Sequence, residues 1–127
     1  MSKRAATFLL LATLWFAAIA VAYANCNVHQ HQRVALYSGS DDPDVLVWDS
    51  RFRMREYHEA TFDEARALVL HARLVPPGTR VVVENCVPDF VLSPLFDRPA
   101  DAVGILIVSG PDSGQRGWVL SSDVRPR

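Results

Sequence analysis

The residues able to do chemistry in this chain are few. Cys26 and Cys86 are its two cysteines, and His29 and His31 follow the first of them closely. A cysteine pair about sixty residues apart reads first as a disulfide if the protein works in an oxidising compartment. The competing reading is a tetrahedral metal site built from Cys26, His29, His31 and Cys86. The spacing Cys-x-x-His-x-His is a poor metal signature, and two unpaired thiols remain a third reading. His58 stands between Glu56 and Glu59, and His71 lies further on, yet no serine or cysteine in a nucleophile context accompanies them. Asp41, Asp42 and Asp44 resemble part of a calcium loop but lack its glycine and its distal glutamate, so a solvated turn accounts for them. No phosphate-binding glycine loop exists. The residues imply neither an enzyme nor a cofactor.

Where such a chain works is a separate question, and its first residues address it. Met1-Ser-Lys-Arg precedes an uncharged stretch from Ala5 to Ala24 that ends in Ala22-Tyr23-Ala24. Positive charges, an apolar run and a small-x-small triplet form an export signal. The run is also long enough to span a bilayer, so residues 1–24 read as a cleaved signal peptide or, alternatively, an uncleaved anchor in the inner membrane. Lys3 and Arg4 put the C-terminus outside in both cases. A lipoprotein is disfavoured because Asn25 precedes Cys26.

Residues 25–127 then form one small domain by length. Eleven arginines, no lysine and fourteen acidic residues leave it mildly acidic, with the signs interspersed. No basic stripe is present, which argues against nucleic acid as a partner.

Strand patterns dominate this domain. Arg33–Tyr37 alternates and breaks at a turn-rich cluster, Val45–Trp48 is a short apolar run, and Arg51–Tyr57 alternates with Phe52 and Met54 on one face. Val75-Pro-Pro-Gly78 is a turn feeding a buried strand at Arg80–Glu84. Val103–Val108 and Gly117–Leu120 flank a hairpin turn at Gly110–Gly114. One helix is expected over about Phe62–Ala72, opened by the capping box Thr61-Phe-Asp-Glu64, with Phe62, Ala65, Leu68, Val69 and Ala72 on one face. The proline-rich stretch between Cys86 and Ala100 reads as a long loop.

Three phrases in this order resemble the Src-homology-3 barrel family: Arg33-Val-Ala-Leu-Tyr37, Val75-Pro-Pro-Gly78 with its following strand, and Gly117-Trp-Val-Leu-Ser-Ser-Asp-Val124. The resemblance covers residues 33–37, 75–83 and 103–124. It implies a mainly β fold, a small barrel with a greatly enlarged first loop (38–74) that carries the helix, closed by a strand, a single helical turn and a last strand. Ser38-Gly39, Ile105-Leu106 and Ser121 replace the residues of the family's proline-recognition groove, so that activity is not carried over. The expectation is an exported binding module of the bacterial envelope that contacts cell-wall peptide or a partner protein. Tyr37, Trp48 and Trp118 are its candidate contacts. The alternatives are a membrane-anchored structural or regulatory protein and a periplasmic metal-binding protein.

Overall fold

Short apolar runs separated by glycine and proline turns give strands, and in the computed structural model they pair into one curled antiparallel sheet. The structure describes residues 26–39 and 42–126, so the export segment and Asp41 lie outside the described residues. The strands are β1 (Arg33–Leu36), β2 (Val45–Trp48), β3 (Ala72–Val75), β4 (Arg80–Val91), β5 (Ala100–Ile107), β6 (Arg116–Leu120) and β7 (Val124–Pro126). Their order across the sheet is β3-β2-β6-β5-β4-β1-β7, a half-barrel with edges at β3 and β7. Two short helices, α1 (Arg51–Glu59) and α2 (Phe62–Leu68), sit between β2 and β3. Among the described residues no helix is long and apolar enough to cross a membrane.

Several local expectations meet the structure directly. The Gly110–Gly114 turn closes the β5–β6 hairpin, with Gly114 N–H donating to the Ile107 carbonyl at 2.8 Å and Gly110 and Gly114 at positive φ. Gly78, at φ 87, turns the chain into β4 and donates to the Leu36 carbonyl at 2.6 Å. A 3-10 turn over Ser121–Asp123 separates β6 from β7.

Other expectations are corrected. Arg51–Tyr57 is not a strand but the body of α1. Ser50 caps it by accepting from Phe52 N–H at 3.2 Å, and Arg53 pairs with Asp49 at i,i+4 spacing. Phe52 and Met54 alternate only by coincidence, since Met54 alone is buried. The second helix stops at Leu68, passes through a 3-10 turn (Val69–His71), and Ala72 already belongs to β3. Pairing with β2, Leu46 opposite Leu74 and Trp48 opposite Ala72, offers those residues ladder hydrogen bonds that outcompete another helical turn. Thr61 is the N-cap of α2, but its side chain makes no cap bond, and none of the helix is buried. The loop expected after Cys86 begins only after Val91. β4 continues to that residue through register shifts at Val83/Asn85 and Val87/Val91, and Pro88 falls in the second bulge, where a missing N–H is tolerated.

The core has two parts. One fills the curl of the sheet with Val34, Leu36, Val81, Val83, Ile105, Ile107 and Val119 among others. The second holds α1 against the sheet through Trp48, Met54, Val91, Ala102 and Leu120. The Cys26–Cys86 disulfide joins the start of the described chain to β4, with 6.5 Å between the α-carbons.

Two stability outcomes are expected. Opening the 60-residue separation closed by the disulfide, by Cys26→Ser with Cys86→Ser, lowers unfolding free energy by about 4 kcal/mol on the chain-entropy account. A Cβ added at Gly117 would run into Val47 Cγ1 and come within 2.9 Å of the Trp48 carbonyl oxygen. Gly117→Ala therefore costs about 1–3 kcal/mol or more by overpacking. Urea titration of each variant measures both.

Candidate functional site

A cleft of about 410 Å³ opens where the helices meet the sheet. Trp48, Met54 and Leu120 form its floor, all of them residues of the second core cluster. Tyr57, His58, Phe62 and Ala65 form the wall given by the two helices, and Leu95 and Phe96 the wall given by the segment after β4. Helical spacing explains the first wall. Met54, Tyr57 and His58 are three and four residues apart, so one flank of α1 presents all of them to the same space.

Aromatic contacts lead from floor to rim. The Trp48 and Tyr57 ring centroids lie 4.9 Å apart, Tyr57 meets the His58 ring edge-on at 5.0 Å, and His58 meets Phe96 at 5.6 Å. At the rim the apolar surface is open to solvent, with Phe62 78% and Leu95 91% exposed. Both side chains thus leave apolar area of the cleft lining uncovered.

Its far end is acidic. Asp42, Asp44 and Asp123 line it together with Ser38, Gly39 and Ser122, and no lysine or arginine is among the lining residues. Asp123 sits in the 3-10 turn between β6 and β7. Its carboxylate accepts from Gly39 N–H at 3.0 Å, and its carbonyl accepts from Tyr37 N–H at 2.8 Å, which ties the loop after β1 to that turn. Burial pushes its carboxyl above the usual value, hydrogen bonds from the Gly39 and Leu120 backbone pull it down, and nearby Asp42 raises it.

Burial lowers His58 from its ordinary 6.5 to about 4, so the ring is neutral at neutral pH. It serves the cleft as an aromatic wall with hydrogen-bonding capacity and carries no fixed charge.

The residues singled out from the sequence do not converge. Trp48 lies in the cleft floor but is only 1% exposed, so it shapes the cleft and offers a ligand little surface. Trp118 is partly buried beneath the Arg51 guanidinium, whose carbon is 5.4 Å from the ring centroid. Gly104 leaves the space its indole occupies, since a Cβ there would come within 3.2 Å of the ring. Tyr37 stands outside the cleft lining with the Arg125 guanidinium 4.7 Å from its ring centroid.

The disulfide bears on the metal reading by taking up both cysteine sulfurs. Cys26, Cys86 and Asp101 place donor atoms together, but both sulfurs are bonded to each other and supply no thiolate. His29 and His31 are exposed and serve a turn: His29 N–H donates to the Gln32 side chain, and His31, at φ 67, donates to the Val83 carbonyl. Tyr57, Phe62, Leu95, Phe96 and Asp123 are the site residues that sequence reasoning missed. The spacing of Met54, Tyr57 and His58 after the Asp49-Ser50 cap was the available signal for the first of them.

Compared with known proteins, the chain matches no family model, no curated protein and no solved structure. The chemistry of the cleft rests on its own residues.

The cleft makes stability depend on pH. With His58 at about 4 in the folded state and 6.5 unfolded, the unfolded chain binds a proton that the native chain refuses between those values. The stability that neutral His58 contributes is therefore complete above 6.5 and falls as pH drops toward 4. Asp123, raised in the native state, acts in the opposite sense as it takes up its proton. His58→Leu is expected to reduce the fall in melting temperature between about pH 7 and pH 4.5. NMR titration of the His58 ring should show its midpoint near 4.

Proposed function

We propose that this chain is an exported, non-enzymatic binding module of the bacterial envelope, and that its cleft takes an apolar side chain of a basic segment in a partner protein. The observation that carries the reading is the open apolar cleft, rimmed by exposed Phe62 and Leu95 and acidic at one end. A polar glycan or a cell-wall peptide of small side chains matches such walls less well than a large aliphatic or aromatic anchor. Asp42, Asp44 and Asp123 favour a cation beside that anchor.

Two further observations support the module's setting. The disulfide fits an oxidising compartment, in agreement with the signal-like residues 1–24. The phrases that resemble the Src-homology-3 barrel fall on β1, on the turn into β4, and on β6 with its 3-10 turn and β7. β7 returns to pair with β1, as a barrel closed by its last strand requires. In that reading residues 38–74 are an insertion that contributes hairpin β2–β3 and both helices, and the cleft is built largely from it.

Photo-crosslinking from position 62 or 95 in cells tests the proposal. One specific protein partner is expected. Phe62→Ser combined with Leu95→Ser should weaken its capture about tenfold or more, because each buried anchor is worth about 1.5–3 kcal/mol. Both side chains are exposed, so the melting temperature should stay near the parent value. Retention on purified cell wall, with no protein crosslink and no effect of the double variant, would reject the partner-protein reading. Intact mass without reductant is expected to show a species beginning at Asn25 with both cysteines protected.

A further inference from the structure

Beside the cleft, from α1 residues that do not line it, the chain assembles a cationic stack. Arg51 and Arg55 are one turn apart on the same helix face. The guanidinium carbon of Arg51 lies 5.0 Å from the Phe52 ring centroid, 5.6 Å from Phe90 and 5.4 Å from Trp118. That of Arg55 lies 5.4 Å from Phe52 and 4.5 Å from Phe90. Phe52 and Phe90 themselves meet edge to face at 5.5 Å. Rings hold the guanidinium planes and enclose Arg51 Nε, while both arginines stay partly exposed, so their outer N–H groups can meet an acceptor.

Phe90 reaches this stack through backbone strain. It belongs to the bulge between Val87 and Val91, where Asp89 adopts φ 52 and its N–H donates to the Asp101 carboxylate at 2.9 Å. Bulges of this kind re-aim a side chain, and a non-glycine residue at positive φ persists only where its surroundings enforce it.

Three features call for an anion here. Arg51 Nε is buried without a hydrogen-bond partner, and among the described residues it is the one side-chain polar atom in that state. Arg51 forms no ion pair among the described residues, while Arg55 has only a 3.9 Å contact with Glu59. The first turn of α1 holds no acidic residue, and Arg51, its first residue, adds to the positive end of the helix dipole. One loosely held glutamate faces two guanidinium charges, which leaves a net positive charge at the stack.

We infer that Arg51 and Arg55 form a binding site for a phosphate-type oxyanion, held by guanidinium N–H donors above the Phe52–Phe90–Trp118 platform. The site adjoins the cleft on α1, but none of its residues lines the cleft, so its anion is distinct from whatever the cleft binds. A soluble phosphate ester and a lipid headgroup present the same chemistry to it.

The test follows the arginine Nε–H signals of the full chain by NMR as inorganic phosphate is added, with chloride at matched ionic strength as control. A saturating change at Arg51 with phosphate alone is expected. Arg55→Gln should weaken it about tenfold or more, and Arg55→Lys, which keeps the charge but loses the fork, should also weaken it. Cosedimentation with phosphatidylglycerol vesicles against phosphatidylcholine vesicles identifies the source. Retention specific to phosphatidylglycerol and lost in Arg55→Gln assigns a lipid phosphate, whereas a saturating phosphate response without such retention assigns a soluble ester. Either result supports the site. Equal responses to phosphate and chloride, combined with vesicle binding that Arg55→Gln leaves unchanged or with none at all, overturn it. Melting curves of the variants, expected to match the parent, separate loss of binding from loss of fold.

Discussion

The contact on which the rest of the site depends is the crossing of β2 over β6 at Gly117. β2 joins the β4–β5–β6 meander through a single register pair, Trp48 opposite Trp118. Gly117 has no side chain, and the space a Cβ would need is filled by Val47 and the Trp48 carbonyl. This close approach puts Trp48 at the junction of the sheet and α1, where it packs with Met54, Val91, Ala102 and Leu120. The position of α1 follows from that packing, and with it both the cleft and the arginine stack. A small domain buries a limited core, so one misplaced methyl group at this crossing acts on both surfaces at once.

α1 is thus a helix with three jobs. Met54 anchors it, Tyr57 and His58 line an apolar cleft with an acidic end, and Arg51 and Arg55 stack on aromatic rings. The two sites carry opposite electrostatic character although the domain as a whole has interspersed charge. Burial keeps His58 neutral, so the cleft holds no cation to offset its carboxylates, while stacking on aromatic faces accommodates the two guanidiniums. The disulfide acts at another point, closing the described chain onto β4 four residues before Phe90. It points to an oxidising environment and limits how far the start of the domain can separate from the sheet.

Much of the sheet was legible because it rests on short-range rules. Apolar runs marked β1, β2, β5 and β6, and glycines at positive φ marked the turns at Gly78 and Gly110–Gly114. The disulfide was legible from cysteine number and an export-like start. Misreadings came where two local patterns compete. Phe52 and Met54 satisfy a strand's alternation, yet Met54, Tyr57 and His58 satisfy a helix's spacing, and the Ser50 cap decides between them. Ala72–Val75 carries helical spacing from α2, but the unpaired edge of β2 captures it as a strand. The prolines after Cys86 suggested a loop, while the bulge at Val87/Val91 lets β4 run past the first of them.

The sequence by itself determined short-range facts: a mainly β domain, its turns and the cysteine bridge. Those depend on neighbours along the chain, or on residues so few that only one pairing exists. The tertiary structure decided which side chains meet. Trp48 was named as a contact and is buried. Phe62 was placed on a helix's packed face and is exposed. Arg51, Phe90 and Trp118 come from α1, β4 and β6, with nothing in their spacing to foretell that they share one stack. Sites of this kind arise from strand register and from one close crossing at a glycine, and register is a property of pairs of segments, which no single stretch of sequence contains.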